Sequence, residues 1–474
     1  MVIPFDQMPA SRRTPGSYVE FNYRLASRGL RADPVRVLMI GQRLSTGTKP
    51  ELELDFIGSG GQARSYYGRG SHLARMLETA MDANGAMELY GMALNDDAGA
   101  TAATWTLTFS GAPDGKQTLT LWIAGDRVAI SVAADDTASD VAASVNAALS
   151  NTLLPDILVT PSVLAAVVTL TLRNKGTLGN ALDIHAEWSG TGLAVAVAAG
   201  VAGATDPDLS SALDLVVAED FDFLAVAFAD ATNLGHLQTH LLTLPTPLVN
   251  LGALGVAAIT GSYATATSAQ SALAACGYIV LANLPGTATF GPEVAAVLAA
   301  ILASQSDPAL PYNNLALPGV MAPWSLSDRL TPTEIETSLW NGVCPLKVGA
   351  GEQVRIVRAI TTYTENDAAE ADDALLDVTT PRTLFWLRDQ VRSMLNTKYP
   401  RGKNTAGRRS DIRADVLALL FQAEDLEVLE NVEANEDGVL VEVNALDPNR
   451  CDLAIPADVV NGLHVIAARI DLIL

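Results

Sequence analysis

The chain has 474 residues, nearly half of them apolar, which is enough for roughly two to four domains with their own cores and excludes a disordered protein. Its 30 basic and 53 acidic side chains give a formal net charge of −23, which argues against sequence-independent nucleic-acid binding because that needs a dominant cationic surface. Cys276, Cys344 and Cys451 are far apart, odd in number and without CxxC spacing, so they read as reduced, buried thiols. The N-terminal run predicts no signal peptide, and no uninterrupted apolar stretch of about twenty residues predicts a membrane span.

Residues 1–17 contain Pro4, Pro9, Pro15 and Gly16 and should be irregular. In 18–23, Val19, Phe21 and Tyr23 alternate with Glu20 and Asn22, the period of a half-buried strand. Residues 35–40 suit a buried strand. The glycine-rich stretch FIGSGGQARSYYGRGS resembles a phosphate cradle but fits neither template: Ala63 stands where GxGxxG would close, and no Gly-Lys-Ser/Thr is present. Ser71 should cap a helix from His72 whose Leu73, Met76, Leu77, Ala80 and Met81 form one apolar stripe.

From about residue 98 to 200 the composition turns to Ala, Thr and Val, marking an inserted β-rich α+β domain. Alternating runs at 105–110, 118–123 and 128–132, separated by Pro113-Asp114-Gly115 and Gly125-Asp126, predict a meander. Thr137 with Asp140 predicts an acidic capping box. After Asp206, helices and strands alternate (208–218, 223–228, 232–242, 255–260, 265–275, 278–282), which implies a largely parallel sheet flanked by helices. Residues 292–305 are apolar on every side and should be buried on every side.

In a parallel sheet, ligands bind at the carboxyl ends of the strands, so Asp230 and Asn283 mark where an enzyme site would lie. No nucleophile and base accompany them. His236 and His240 have the spacing of two metal ligands, but Leu237 stands in place of the HExxH glutamate and no third ligand is evident. No catalytic residue, metal or cofactor is expected. A hydrolase-type α/β enzyme and a glycan-binding module remain as competing classes.

The last stretch alternates again. His464, Ile466, Ala468, Ile470, Leu472 and Leu474 share one face, opposite Arg469 and Asp471. This reads either as the last strand of the chain's own sheet or as a strand given to a neighbour. Lys398, Arg401, Lys403, Arg408, Arg409 and Arg413 form a basic run against the single acid Asp411, whereas 365–377 and 424–437 carry six and seven acids with no base. These are either solvated loops or a charge-complementary contact.

Seven segments in order resemble the tail sheath proteins of contractile-tailed bacteriophages, Mu-like sheaths above all. They are PGSYVEF at 15–21, GRGSHLARML at 68–77, DPALPYNNLALPGV at 307–320, LWNGVCPLKV at 339–348, VRIVRAITTY at 354–363, the run LDVTTPRTLFWLRDQVRSMLNTKYPRGK at 376–403, and 446–474. The resemblance implies a structural subunit of hexameric rings stacked into a helix around a tail tube, on a phage or a tail-like particle. Baseplate and tail terminator would be further partners, without nucleic acid or membrane contact. The subunit would be assembled in the host cytoplasm, reside in the virion tail and contract to drive the tube through the host envelope.

The resemblance also implies extended arms that add strands to other subunits. The N-terminal arm (1–23) would present Tyr18, Val19, Phe21 and Tyr23, and the C-terminal arm (463–474) Ile466, Ile470, Leu472 and Leu474. A receiving strand at 354–363 would offer Val354, Ile356, Val357 and Ile360. The expected fold is thus α/β and α+β multidomain: an α/β domain from 24–97 with 201–330, the outward-facing insertion 98–200, and a C-terminal sheath core domain of mixed sheet with flanking helices over 331–462.

Overall fold

The computed structural model describes residues 34–151 and 156–473. The N-terminal segment with Tyr18, Val19, Phe21 and Tyr23 lies outside the described residues, as does Leu474.

An eight-stranded sheet organises the chain. Its order is Val354–Ile356, Cys344–Val348, Ile279–Asn283, Leu254–Ile259, Phe223–Val226, Arg36–Gln42, Glu88–Leu94, Leu54–Phe56. The six inner strands are parallel, and the two edge strands run antiparallel to their neighbours. A parallel sheet must be covered on both faces, and the inner strands Phe223–Val226 and Ile279–Asn283 are accordingly buried at every residue. The expected helices cover it at Ala231–Thr243, Tyr263–Gln270 and His72–Ala83, the last capped by Ser71 Oγ. In helix Gly291–Ala303 every residue from Pro292 onward is buried, and the helix packs against His72–Ala83 and the sheet.

Three differences from the sequence expectation have clear causes. The glycine-rich stretch is no loop: Ser59 caps a helix at Gly60–Tyr67. The domain boundary expected at 330 falls later, because Cys344–Val348 continues the parallel sheet from Ile279–Asn283 and the same core reaches Val378. The run 354–363 is a strand only over Val354–Ile356, after which the backbone turns away.

The insertion has its own core, with Leu107, Leu119, Leu121, Val141 and Val168 among its buried residues. Its strands do not form one meander. Gln117–Ile123 pairs with Asp126–Val132 and Ile184–Trp188, while Thr104–Gly111 pairs with Val167–Leu172 and Leu193–Ala199 in a separate sheet. Helix Ala138–Leu149 begins with the expected Thr137/Asp140 capping box. The two ends of the insertion meet, as the Thr101 amide donates to the Ala204 carbonyl at 3.1 Å.

Charge and aromatic contacts dock the insertion on the α/β domain. Arg75, buried on helix His72–Ala83, donates to Glu293 of Gly291–Ala303 at 2.7 Å and to Asp126 of the insertion at 2.6 Å. Arg64 holds Asp156 at 2.7 Å and lies 3.0 Å from Glu78. Burial, reinforced by the neighbouring Asp156, pushes the Glu78 carboxyl up to about 7 despite that guanidinium, which Asp156 shares. On another side, Trp324 stacks on His185 at 4.5 Å, packs against Trp122 and donates its indole N–H to Asp183.

Removing one partner of a buried pair leaves an uncompensated charge. Arg75→Met, which strands Glu293, should therefore cost about 3–5 kcal/mol of unfolding free energy in chemical denaturation, whereas Arg127→Met, at an exposed position of strand Asp126–Val132, should be near neutral.

Candidate assembly interface

The third core is small. Leu387 of helix Thr379–Lys398 meets Val416, Leu419, Leu420 and Ala423 of helix Ala406–Asp425, with Leu429, Val432 and Val439 beyond. Helix Thr379–Lys398 crosses from the sheet domain to this core and is fastened to the former by guanidinium groups. Arg382 donates to Tyr312 Oη and to the Gln305 carbonyl, Arg388 to the Leu251 carbonyl at 2.7 Å, and Arg392 to the Asn250 carbonyl at 2.7 Å.

Beyond the helices stands a hairpin that the sequence reading missed, Leu440–Val443 with Cys451–Ala454. The signal was present: short runs LVEV and CDLA flank an Asn, Asp and Pro-rich turn. Among the described residues each of its strands pairs with the other alone, leaving both outer edges open. Arg413 braces its root by donating to the carbonyls of Val439 at 2.8 Å and Glu436 at 2.7 Å. Cys451 lies in this hairpin and is half-buried, which corrects the expectation of three buried thiols; Cys276 and Cys344 are buried, and burial pushes their thiols up to about 11 and about 12.

The C-terminal segment returns along the small core, with Leu429 and Val459 forming an antiparallel bridge. It touches the sheet domain once more at His464 and then leaves the surface. Val465 through Ile473 form no strand, and Ile466, Ile470, Leu472 and Ile473 are 80%, 96%, 84% and 91% exposed. Arg469 and Asp471 pair with each other at 2.7 Å. Four large aliphatic side chains in water over eight residues are far from what a finished surface carries.

The segment expected to receive a strand is differently placed. Val354, Ile356 and Ile360 are buried in the main core and Val357 is half-buried. One edge of Val354–Ile356 pairs with Cys344–Val348; the other is taken by the chain's own 314–317, through Asn314 N–H to Ile356 O, Ile356 N–H to Leu315 O and Leu317 N–H to Val354 O.

The basic run spreads over a turn and the start of a helix. Lys398 pairs with Asp415 at 2.8 Å, Arg408 lies over the Tyr399 ring and near Asp411, and Arg409 donates to Asn404. Arg401 and Lys403 are exposed and have no charge partner among the described residues. Among the described residues no side-chain carboxylate of either acidic segment pairs with this run: Asp377 holds Arg358, Asp372 accepts from Tyr363 and Glu424 accepts from the Val432 amide.

The candidate enzyme residues have backbone tasks. Asp230 caps helix Ala231–Thr243 by accepting from Thr232 and Asn233, and Asn283 donates to the carbonyls of Ile259 and Gly261. His236 lies 3.4 Å from Asp208, and burial pushes His240 down to about 4. Among the described residues no three His, Cys, Asp or Glu side chains gather as a metal site.

Comparison with known proteins gives a consistent result. Residues 202–362 match the family model of the phage tail sheath protein central domain, and 370–473 that of the phage tail sheath C-terminal domain. The chain is similar over its whole length, at 30% identity, to the whole of the Mu-like prophage FluMu tail sheath protein of Haemophilus influenzae. In fold it is similar to the crystal structure of a sheath tail protein from Desulfitobacterium hafniense (TM-score 0.53, 14% identity, 94% of this chain and 97% of that one). It is also similar to the helical sheath of the anti-feeding prophage in the contracted state (TM-score 0.51, 13% identity, 97% and 99%).

If the basic run meets acids of another copy, Arg408→Glu combined with Arg409→Glu should lower assembly yield more at low than at high ionic strength, because salt screens surface charge. Sedimentation at two salt concentrations measures this; equal yields would mark the run as merely solvated.

Proposed function

The chain belongs to the phage tail sheath family, and from that premise we propose that it is a structural subunit of a contractile sheath, polymerising around a tail tube and contracting to drive that tube through a host envelope. One observation carries the reading. Among the described residues the same subunit presents an unpaired apolar segment, 465–473, and a hairpin with open outer edges, Leu440–Val443 with Cys451–Ala454. The two features are complementary: an extended segment completes an open sheet edge through main-chain hydrogen bonds, and alternate side chains set the register.

A donor and an acceptor at different points of one surface make a heterologous contact, which closes rings or propagates helices. The hairpin is the better acceptor than 354–363, because both edges of Val354–Ile356 are already occupied by the same chain. In this reading the N-terminal segment with Tyr18, Val19, Phe21 and Tyr23 is a second donor, since two added strands would convert a marginal two-stranded hairpin into a four-stranded sheet. Tail tube, baseplate and tail terminator are the other partners, and assembly takes place in the host cytoplasm before the sheath joins the virion tail.

Energetics account for controlled assembly. Ordering a dozen residues costs on the order of 1–2 kcal/mol each, close to what their hydrogen bonds and aliphatic burial return. A single arm then binds weakly, and a template that holds many arms together supplies the avidity. Ile470→Asp should abolish sheath formation seen by negative-stain microscopy, Arg469→Ser should be milder, and neither should move the thermal midpoint of the isolated subunit. Unfolding of the subunit by Ile470→Asp would instead assign the segment to its own core.

The insertion faces outward in this reading. Because its ends meet at Thr101 and Ala204, replacing 98–200 by a short linker should leave a soluble subunit that still assembles. Its thermal midpoint should fall, because Arg75 loses Asp126, and buried Gln42 loses the Lys175 carbonyl. Loss of assembly by a folded deletion variant would place the insertion in the lattice.

A further inference from the structure

We propose that His464, seated on Asp377 and Asn313, is a clasp that fixes the point at which the C-terminal arm leaves its own subunit, and that acidification opens it. The inference rests on reading 465–473 as an arm. His464 differs from both neighbours: its side chain is 16% exposed, while Leu463 and Val465 are 71% and 80% exposed. The Asn313 side-chain amide lies 2.9 Å from His464 Nδ1 and also reaches the Leu463 carbonyl at 3.5 Å, gripping two successive residues. His464 Nε2 faces Asp377 Oδ1 at 3.3 Å. Gly462 completes the seat, since a Cβ there would fall 2.7 Å from the His464 ring and 2.9 Å from Pro311. The arm is therefore held by side chains at one residue, after a stretch, 455–460, that packs on the small core, and it is unsupported immediately beyond.

The charged groups facing His464 explain its response to protons. Asp377 comes from the turn before helix Thr379–Lys398, and its two oxygens already accept from Arg358 at 2.9 and 2.6 Å. A carboxylate neutralised by one guanidinium offers a second cation little, so burial dominates and holds His464 below its ordinary value, with Arg358 acting in the same direction against the smaller pull of Asp377. A base whose pKa is lowered in the docked state favours docking when neutral; docking weakens as the pH falls below the ordinary histidine value. The clasp is closed at neutral pH and releases in acid, freeing the arm root to pivot about Gly462.

The test uses the full chain. Spin labels at Asn396→Cys and Val465→Cys, with Cys451→Ser and the two buried cysteines left in place, report the distance from helix Thr379–Lys398 to the arm root. The expected distribution is narrow at about pH 8 and broad at about pH 5. His464→Ala should be broad at both, and the neutral, hydrogen-bonding His464→Gln narrow at both. A distribution unchanged by His464→Ala, or equally broad in His464→Gln and His464→Ala, overturns the clasp. The arm reading fails separately, if Ile470→Asp assembles normally, because the label distances are measured on isolated subunits.

Discussion

A strand edge exposes amide and carbonyl groups that must find partners, and this chain treats its edges in two opposite ways. At the large sheet one edge is short and the other is sealed. Leu54–Phe56 is only three residues long, and the outer side of Val354–Ile356 is sealed by 314–317. At the C-terminal hairpin both edges are left open among the described residues, and the same chain carries, a few residues later, an exposed apolar segment. Closing the first sheet makes a stable subunit. Leaving the second incomplete makes that subunit one part of something larger.

Much of this division was legible in the residues. Continuous Val, Ile and Leu runs alternating with helical stripes forecast a parallel sheet, and the almost wholly apolar 292–305 forecast a helix buried on every side. The alternation of Ile466, Ile470 and Leu472 forecast a strand in need of cover. VRIVRAITTY reads as a strand with a free edge by composition, while local sequence carries no sign that 314–317 already pairs with it. The hairpin was overlooked because four-residue runs carry too few periods to stand out. The boundary near Val378 was invisible for a similar reason: Cys344–Val348 joins the sheet through long-range pairing with Ile279–Asn283, which composition does not record.

A net charge of −23 sets the terms of association. Copies repel at a distance, so contacts between them must be specific, and surface where charge is locally reversed or aliphatic side chains are bare is suited to making them. Both conditions meet in the C-terminal third, which holds the basic run, the hairpin and the arm within about eighty residues. The α/β domain and the insertion carry most of the buried aliphatic surface and none of these features.

The two junctions of the sheet domain are made of different chemistry. Carboxylates of the insertion grip Arg75 and Arg64, and burial holds the Asp126 carboxyl above its ordinary value, so acid reaches the Arg75 contact and weakens the dock. Helix Thr379–Lys398 is held by Arg382, Arg388 and Arg392 through backbone carbonyls and one phenol. A carbonyl has no proton to gain in that range, and guanidinium stays charged throughout. The hold of helix Thr379–Lys398 on the sheet domain is thus indifferent to acidity that loosens the other, so the helix keeps its bearing even when the outer domain comes loose and the His464 contact opens.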